Sequence, residues 1–274
     1  MNKYGYLIFV ILLLLGLLVT TFRTGQKLHV GFLDVGQGDA IIVRTPSGQN
    51  ILIDGGPDNS FLSQLADFLP WWERKIDYLV ITHYHADHII GLVELLNKYK
   101  VEHVLVTAHQ PDKDFMYQLW QKALVQHKLE STIVRADQKF IFADNLSVRV
   151  LSAEDKQQDF NGNSLVLRLS YGQIDFLMTG DLPVEGEQNI LAQGSLVSSE
   201  VLKVGHHGSK YSSGQAFLQA VNPELCVITS GKDNKFGHPH PEAVKRLENS
   251  GCKIVNTQNQ GTIRVISDGQ TISY

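Results

Sequence analysis

The sequence is poor in cysteine, in charge and in basic residues relative to acidic ones. Its two cysteines, Cys226 and Cys252, are too few for a fold held together by several disulfides, and because both fall at predicted strands we expect buried free thiols without a ligand role. The formal net charge is −4, which excludes a broad nonspecific grip on nucleic acid, since such a grip needs an excess of Lys and Arg. Charged residues are 19% of the chain and apolar residues 43%, so disorder and a coiled coil are excluded and a globular core is expected.

Charge is absent from one long apolar run near the amino terminus. No charged residue occurs between Lys3 and Arg23. The run is slightly shorter than the roughly 20 residues that span a bilayer, and no cleavage site of the A-x-A kind follows it. We therefore expect residues 1–26 to form an uncleaved hydrophobic helix that anchors the chain in the cell membrane by a single pass, with the body outside the cytoplasm. Cleavage and secretion of the body is the alternative.

After residue 26, strand and helix patterns alternate with no linker that would divide the chain. Short β-rich runs at residues 28–33, 40–44 and 50–53 predict an antiparallel start. Apolar residues at helical spacing predict helices over residues 61–69, 89–99, 115–129, 214–221 and 241–250. Further strands are predicted between them, so this order indicates an α/β domain, residues 27–274, in which helices flank two mixed sheets.

Histidine is concentrated directly after the predicted strands. Seven of the 11 histidines lie in three short stretches that contain glycine, proline or aspartate. They are His83, His85, His88, His206, His207, His238 and His240. Side chains at strand ends can converge into one pocket while the sheet supports them rigidly.

The densest of these stretches runs from Thr82 to His88. Side chains two residues apart in an extended segment point the same way, so His83 and His85 can bind one metal ion. Asp87 and His88 then diverge as the chain enters a helix, and they can bind a second ion nearby. The spacing predicts a two-metal centre, and a histidine-rich surface turn is the alternative.

This stretch resembles the His-x-His-x-Asp-His signature of the metallo-β-lactamase superfamily, and the resemblance covers nearly all of the chain from Lys27 onward. It implies an αββα sandwich of two mixed sheets flanked by helices, with two bound divalent cations, Zn²⁺ or Mn²⁺. Asp54, in the run Leu-Ile-Asp-Gly-Gly, resembles the upstream aspartate that holds the metal-binding loop in place. Asp181, at the end of a predicted strand, resembles the aspartate that bridges both metals. Taken alone, Asp54 also fits an ordinary Asp-Gly turn, and Asp181 is more typical of a turn residue than of a metal ligand.

Within the superfamily, the sequence is most similar to the domain attached to ComEC-type DNA-uptake proteins. The matching segments are residues 34–40 (DVGQGDA), 163–167 (NSLVL), 202–209 (LKVGHHGS) and 237–239 (GHP).

This resemblance assigns a role to each candidate residue. The expected metal ligands are His83, His85, Asp87, His88, Asp181 and His206. The residues expected to act in catalysis are Asp87, His207 and His238. Those expected to orient or complete the ligand shell are Asp39, Asp54 and Asn163. For His206 and His207 a purely structural role stays open, and His238 also suits the start of a helix at Pro241.

The sequence departs from the superfamily at the third histidine that most members supply to the first metal. Residues 161–164 (Asn-Gly-Asn-Ser) occupy that region and contain no histidine. The amide oxygen of Asn163 can complete the shell, but a neutral oxygen suits Mn²⁺ better than Zn²⁺. We therefore expect easily exchanged metal at this position and stimulation by added Mn²⁺.

The resemblance implies a membrane-anchored, metal-dependent hydrolase, a phosphodiesterase or nuclease that acts on DNA in a competence-like setting. One alternative is a cell-surface phosphodiesterase acting on choline-phosphate or similar esters. Another, favoured by the missing histidine, is a catalytically silent, membrane-tethered binding module. The sequence assigns no protein partner.

Two further groups of residues have open interpretations. Lys203, Lys210 and Lys235 border the histidine stretches and either contact phosphate oxygens or are simply solvated. The pair Trp71-Trp72 follows a proline and is a substrate platform, part of the core or a contact with a membrane surface.

Overall fold

In the computed structural model, which describes residues 5–6, 27–153 and 160–274, two β-sheets lie face to face with helices on both outer surfaces. This is the αββα sandwich expected from the sequence. The predicted anchor, residues 1–26, lies outside the described residues except for Gly5 and Tyr6. In the part of the chain that is described, no helix is long and apolar enough to cross a membrane.

The strands of both sheets are short and follow the predicted order. In the described residues they are β1 (Leu28–Phe32), β2 (Ile41–Arg44), β3 (Asn50–Ile53), β4 (Lys75–Ile81), β5 (Lys100–Val106), β6 (Ser131–Ile133), β7 (Lys139–Ile141), β8 (Ser147–Ser152), β9 (Val166–Tyr171), β10 (Ile174–Met178), β11 (Val201–Lys203), β12 (Leu225–Ile228), β13 (Lys253–Asn256), β14 (Ile263–Ser267) and β15 (Ile272–Ser273).

Each sheet is mixed. The first has the order β15-β14-β1-β2-β3-β4-β5-β6; β1 to β3 form the predicted antiparallel start, and β3 to β6 are parallel neighbours. The second has the order β13-β12-β11-β10-β9-β8-β7, with β10 to β13 parallel. Parallel strands end at the same edge of a sheet, so the loops after β3, β4 and β5 meet at one edge, and those after β10, β11 and β12 meet at another.

Helices cover the outer face of each sheet. They are α1 (Phe61–Phe68), α2 (Ala86–Lys98), α3 (Phe115–His127), α4 (Val184–Ala192), α5 (Gln215–Val221), α6 (Pro241–Ser250) and the single turn α7 (Thr257–Gln260). The first three bury apolar side chains against the first sheet, and α4, α5 and α6 do so against the second. A third apolar cluster fills the space between the sheets.

One boundary matters for function. Helix α2 begins three residues before the predicted start, at Ala86, so Asp87 and His88 lie in its first turn. A carboxylate is favoured there by the exposed N–H groups of the helix end.

The strands β6 and β7 were not predicted, because each has three residues that are largely exposed and show no alternation of apolar and polar positions. Helix α4 was also missed.

The two cysteines form a disulfide, so the expectation of free thiols is wrong. Cys226 lies in β12, and Cys252 directly precedes β13, the parallel neighbour of β12. Their α-carbons are 5.9 Å apart although 26 positions separate them in sequence. The crossover through α6 brings them together, and the cysteine spacing alone does not reveal it.

Replacing both cysteines by alanine should lower the free energy of unfolding by about 3 kcal/mol, because the bond closes a loop of moderate length and restricts the unfolded chain. Urea denaturation of the oxidised protein and of the double variant measures the difference. Reduced wild-type protein is the control and should behave like the variant. Equal stability of the oxidised wild type and the variant would contradict the pairing.

Candidate metal centre

Loops from both sheets converge on Asp181, which follows β10 and is 1% exposed. Four histidine Nε2 atoms surround its Oδ2 atom, at 3.4 Å for His88 and His207, 3.6 Å for His206 and 3.8 Å for His83. The first sheet supplies His83 and His88, and the second supplies the other two. The predicted convergence of the histidine stretches is therefore present in the structure.

The surrounding side chains form two groups that share Asp181. One group is His83, His85 and Asp181; the other is Asp87, His88, Asp181 and His207. In each group the potential ligand atoms lie within 4.8 Å of one another. Two ligand atoms bound about 2.0–2.1 Å from one tetrahedral ion are about 3.3 Å apart, close to the 3.4–3.5 Å separations within the second group.

Unsatisfied polar atoms indicate what belongs between these side chains. Among the described residues, the Nε2 atoms of His83, His88 and His207 and the Oδ1 atom of Asp181 are buried without a hydrogen-bond partner. A buried polar atom left without a partner costs about 1–3 kcal/mol. Imidazole nitrogen and carboxylate oxygen together suit Zn²⁺ and related divalent ions, so the residues present fit bound divalent cations.

The structure places His207 deeper in the centre than His206. His207 is the fully buried member of the ligand group, with Nε2 3.5 Å from Asp87 Oδ2, whereas His206 has a side chain 28% exposed. Both residues have left-handed backbone, with φ of 47° and 55°. Such conformations are rare outside glycine and occur at functional sites. They turn one of two adjacent imidazoles inward, and residue order does not indicate which one.

Hydrogen bonds from behind orient the imidazoles. Asp54 Oδ2 lies 2.8 Å from His88 Nδ1 and also accepts from the Thr82 hydroxyl at 2.6 Å. Asp39 Oδ1 accepts from the Thr229 hydroxyl at 2.5 Å and lies 3.5 Å from His207 Nδ1. Both aspartates lie behind the ligand groups, and their orienting role stays a prediction. Such partners fix ring orientation and the nitrogen that faces a metal.

The loop that contains Asp39 approaches α2 closely. The Asp39 N–H donates to the Asp87 carbonyl oxygen at 3.2 Å. At the preceding residue, Gly38, φ is +143°, and any Cβ would collide with that same carbonyl oxygen. Glycine is required there by backbone conformation and by space, which explains part of the Gly-Gln-Gly-Asp motif.

The segment that replaces the third histidine lies beside the centre. Asn163 is fully buried, and its carbonyl oxygen accepts from the Thr107 hydroxyl at 2.9 Å. The next residue, Ser164, accepts from the Asp181 N–H at 3.2 Å, and its hydroxyl lies 3.5 Å from His83 Nδ1. A serine hydroxyl therefore supports both His83 and Asp181 in this region.

Lys203 was not predicted to lie in the centre. It is fully buried, with Nζ 2.5 Å from Asp39 Oδ2 and 3.8 Å from Asp181 Oδ1, and it donates to the Gly180 carbonyl oxygen at 3.0 Å. It is neither solvated nor on the cleft surface, so both interpretations offered for it were wrong. In the sequence, its position between Leu202 and Val204 in an apolar run was the signal that it could be buried.

Charge is tightly balanced around Asp181. Burial alone would raise the pKa of Asp181, but His207, His88 and His206 hold it well below its usual range. Burial would lower the pKa of His88 and His207, whereas the facing carboxylates, Asp181 first among them, raise both well above the usual value. Burial and then His88 lower the pKa of His83. Asp181 is therefore ionised near neutrality, the state in which a carboxylate can bind a cation.

The pKa values of Asp39 and Asp54 are shifted in opposite directions. Burial would raise the pKa of Asp39, but Lys203 and His207 hold it well below its usual range. Burial raises the pKa of Asp54, and His88 and Thr82 offset this only in part. The buried ammonium thus accounts for the different behaviour of the two carboxyls.

A cleft of about 550 Å³ opens over the centre, with His206 and His238 on its wall. The two imidazole centroids are 5.3 Å apart, and His238 Nδ1 lies 3.3 Å from Gln37 Nε2. Burial and then His206 lower the pKa of His238 to about 4, so its ring is neutral near pH 7. An amide donor at Nδ1 leaves the proton of the neutral ring on Nε2.

Exposed aromatic rings and lysines form the rim of this cleft. Tyr211 is 66% exposed and Phe236 50% exposed. The ammonium of Lys210 lies 5.2 Å from the Tyr211 ring centroid, and that of Lys235 lies 5.0 Å from the Phe236 centroid. Two rings, each beside a cation, are thus presented to whatever enters the cleft.

Glu187 in α4 supports the loop that leads from His207 through the rim to α5. Its carboxylate accepts from the N–H groups of Ser213 and Gly214 at 2.5 and 2.8 Å. Arg246 donates to three carbonyl oxygens of the same loop. Burial, only partly offset by these interactions, raises the pKa of Glu187 to about 7.

The stability of the protein should decline as the pH rises because of Glu187. In the folded chain the Glu187 carboxyl holds its proton up to about pH 7, whereas the ordinary pKa of a glutamate is 4.5. Between these two values the folded state binds more protons than the unfolded state, so stability falls as the pH rises. The total is about 3 kcal/mol. Urea denaturation at about pH 5 and about pH 8, with chelator present, should show a smaller decline for Glu187→Gln. An exposed glutamate away from Glu187 is the control: Glu224→Gln should leave the decline unchanged. Identical declines in Glu187→Gln and wild type would contradict the assignment.

Comparison with known proteins finds a family match and similar competence proteins. The family described as the metallo-beta-lactamase superfamily matches residues 33–228. ComE operon protein 3 of Bacillus subtilis (strain 168) is 30% identical, with 86% of this chain and 32% of that protein covered. Competence protein ComA of Neisseria gonorrhoeae is 32% identical, with 84% and 31% covered. The similarity to competence proteins is thus confirmed, although the chain spans about a third of the length of these relatives.

A solved structure shows the same fold. It is Igni18, a metallo hydrolase from the archaeon Ignicoccus hospitalis, which aligns with a TM-score of 0.60 at 16% identity and covers 87% of this chain and 98% of its own. At this identity the likeness concerns the fold alone.

Proposed function

This chain belongs to the metallo-beta-lactamase superfamily, and from that membership we propose that it is a metal-dependent phosphodiesterase that cleaves DNA. The observation that supports this most directly is the pair of ligand groups sharing Asp181 on the floor of an open cleft. Bound divalent cations supply an activated water and stabilise charge on phosphoryl oxygens. The superfamily and the ligand groups together support a hydrolase that uses such ions.

The proposal assigns each side chain a task. The first cation would be held by His83, His85 and Asp181, and the second by Asp87, His88, Asp181 and His207. In this assignment His207 replaces His206 as a ligand. His206 would then contact a phosphoryl oxygen, and His238 would donate the proton on Nε2 to an oxygen of the substrate or leaving group.

DNA is proposed as the substrate because of the cleft rim. Nucleobases stack on aromatic side chains, which is worth about 1–3 kcal/mol per base, and ammonium groups neutralise the adjacent phosphates. Tyr211 with Lys210, and Phe236 with Lys235, provide both features at the mouth of the cleft. A local arrangement of this kind is compatible with a net charge of −4.

A choline-phosphate ester is the second candidate, since Tyr211 and Phe236 also suit a quaternary ammonium. The adjacent lysines favour DNA over this candidate, because they repel a cation from the same two rings. A silent binding module is disfavoured by the complete ligand group of Asp87, His88, Asp181 and His207.

The test is hydrolysis by the purified chain with Mn²⁺ or Zn²⁺, using a single-stranded oligonucleotide, bis(p-nitrophenyl) phosphate and p-nitrophenyl phosphorylcholine. Replacing Tyr211 and Phe236 together by alanine should reduce kcat/KM for the oligonucleotide by roughly 10- to 100-fold more than for bis(p-nitrophenyl) phosphate. Trp71→Ala/Trp72→Ala is the matched control, with two exposed rings removed elsewhere. Preference for the phosphorylcholine ester would favour the second candidate, and no hydrolysis of any ester would refute both.

Attachment to the membrane through residues 1–26, with the body outside the cytoplasm, is part of the same proposal. The disulfide between Cys226 and Cys252 supports it, because disulfides persist mainly in oxidising compartments. Protease added to intact cells should digest the body while the chain fractionates with membranes, whereas full protection would contradict this orientation.

A further inference from the structure

The end of the sandwich opposite the metal centre has its own exposed surface. β1 starts beside Lys27 and runs towards the loop of Asp39, and β4 starts just after Trp72 and runs towards His83. The starts of these strands therefore lie at the far end from the cleft. We name the surface there the basal surface, defined by Lys27, Arg44, Trp71, Trp72, Arg74 and Arg264.

Two tryptophans dominate the basal surface. Trp71 is 80% exposed and Trp72 67% exposed, and their rings meet edge to face at 5.5 Å. The third tryptophan, Trp120, is fully buried in the core. This excludes the core interpretation of the pair. Large exposed rings mark contact sites, and the indole ring in particular is favoured at the boundary between lipid and water.

Basic side chains adjoin the tryptophans. A cleft of about 430 Å³ is lined by Lys27, Arg44, Arg264 and the residues that lead to Trp71. Arg74, two residues after Trp72, is exposed. Three of these cations act on the same side chain, His29. Burial lowers the pKa of His29 most, and the charges of Arg44, Lys27 and Arg264 lower it further.

Two carboxyl-containing residues adjoin these cations. Glu73 Oε2 lies 3.9 Å from Arg44 Nη1, and Asp67 accepts from Arg264 through its backbone carbonyl oxygen. Of the four basic side chains, only Arg44 lies within ion-pair distance of a carboxylate among the described residues, so the surface suits an anionic partner.

The sequence links this surface to the apolar run. Only residues 23–26 separate Phe22 from Lys27. An extended chain spans at most about 3.6 Å per residue, so Lys27 lies within about 18 Å of the end of the run. If the run is a membrane anchor, as proposed above, the basal surface is the part of the body nearest the bilayer.

We propose that the basal surface rests on a bilayer containing anionic lipids, with Trp71 and Trp72 at the headgroup boundary and Lys27, Arg44, Arg74 and Arg264 facing lipid phosphates. This rests on the proposed membrane attachment and not on the proposed hydrolysis. Basic residues near an anionic leaflet are attracted to it, and the attraction weakens with salt.

The test reconstitutes the full chain in vesicles of phosphatidylcholine, alone or with phosphatidylglycerol, that contain lipids brominated near the headgroup. We expect tryptophan fluorescence to fall by roughly half in the anionic vesicles and clearly less in the neutral ones, because two of the three tryptophans reach the lipid. Trp71→Ala/Trp72→Ala, which leaves only Trp120, should abolish the quenching. Lys27→Glu/Arg264→Glu should reduce it, whereas the matched control Lys210→Glu/Lys235→Glu at the cleft rim should not.

Three results would overturn the proposal: quenching no greater than for Trp120 alone, equal quenching in neutral and anionic vesicles, or quenching unaffected by Lys27→Glu/Arg264→Glu. Quenching by an oligothymidine in the absence of lipid, with none by brominated lipid, would assign the surface to nucleic acid instead. Hydrolysis of bis(p-nitrophenyl) phosphate is measured on the same samples. A wild type that is quenched but inactive would refute the proposed hydrolysis and leave this proposal standing.

Discussion

Asp181→Ala should lower phosphodiester hydrolysis by at least about a thousandfold, which corresponds to roughly 4 kcal/mol of transition-state stabilisation. Asp181 is the one residue common to both ligand groups, and four imidazoles surround its Oδ2 atom. Removing it takes a ligand from each group at once. Removing any other ligand affects one group only, so its effect should be smaller.

The measurement combines kcat/KM on bis(p-nitrophenyl) phosphate with elemental analysis after dialysis. We expect fewer bound metal ions in Asp181→Ala than in wild type, and readily exchanged metal with stimulation by Mn²⁺ in the wild type. Asp112→Ala, at an exposed position, is the matched control and should change neither quantity. Retention of more than a tenth of the wild-type rate by Asp181→Ala would refute the shared-ligand mechanism.

Lys203→Met should destabilise the protein by about 3–5 kcal/mol. The ammonium is fully buried against Asp39, at 2.5 Å, and its loss leaves a buried carboxylate without its nearest counter-charge. The second substitution in Lys203→Met/Asp39→Asn removes that charge. The double variant should therefore lose less stability than the single one. No such coupling between the two substitutions is expected if Lys203 only fills space in the core.

Urea denaturation of the metal-free proteins gives these free energies. Lys210→Met, an exposed lysine seven positions later, is the control and should change stability by no more than about 0.5 kcal/mol. The assignment fails if Lys203→Met lies within about 1 kcal/mol of wild type or if adding Asp39→Asn brings no recovery.

Local patterns were sufficient for much of the fold. The strand runs at the start of the chain, the Gly-containing turns and the helical spacing around Leu92 depend on residues close together in sequence, and the structure has them near the predicted bounds. The histidine stretches were predicted to converge because strand ends meet at a sheet edge, and this too is independent of detailed packing.

Features that depend on contacts between distant segments were not predictable in the same way. Cys226 pairs with Cys252 only because a parallel crossover places their strands side by side. Lys203 is buried because Asp39, from the other sheet, provides its counter-charge. Which of His206 and His207 turns inward depends on two consecutive left-handed residues, a conformation that the residue types do not favour.

Asp39 belongs to the loop after β1, yet it contacts Lys203 and Thr229 of the second sheet as well as the backbone of Asp87. Likewise, Asp181 of the second half faces His83 and His88 of the first. A cation bound there would cross-link the two halves of the sandwich. Its binding energy would add to folding stability in proportion to the logarithm of its concentration, so ion supply would govern how long the protein persists as well as how fast it reacts.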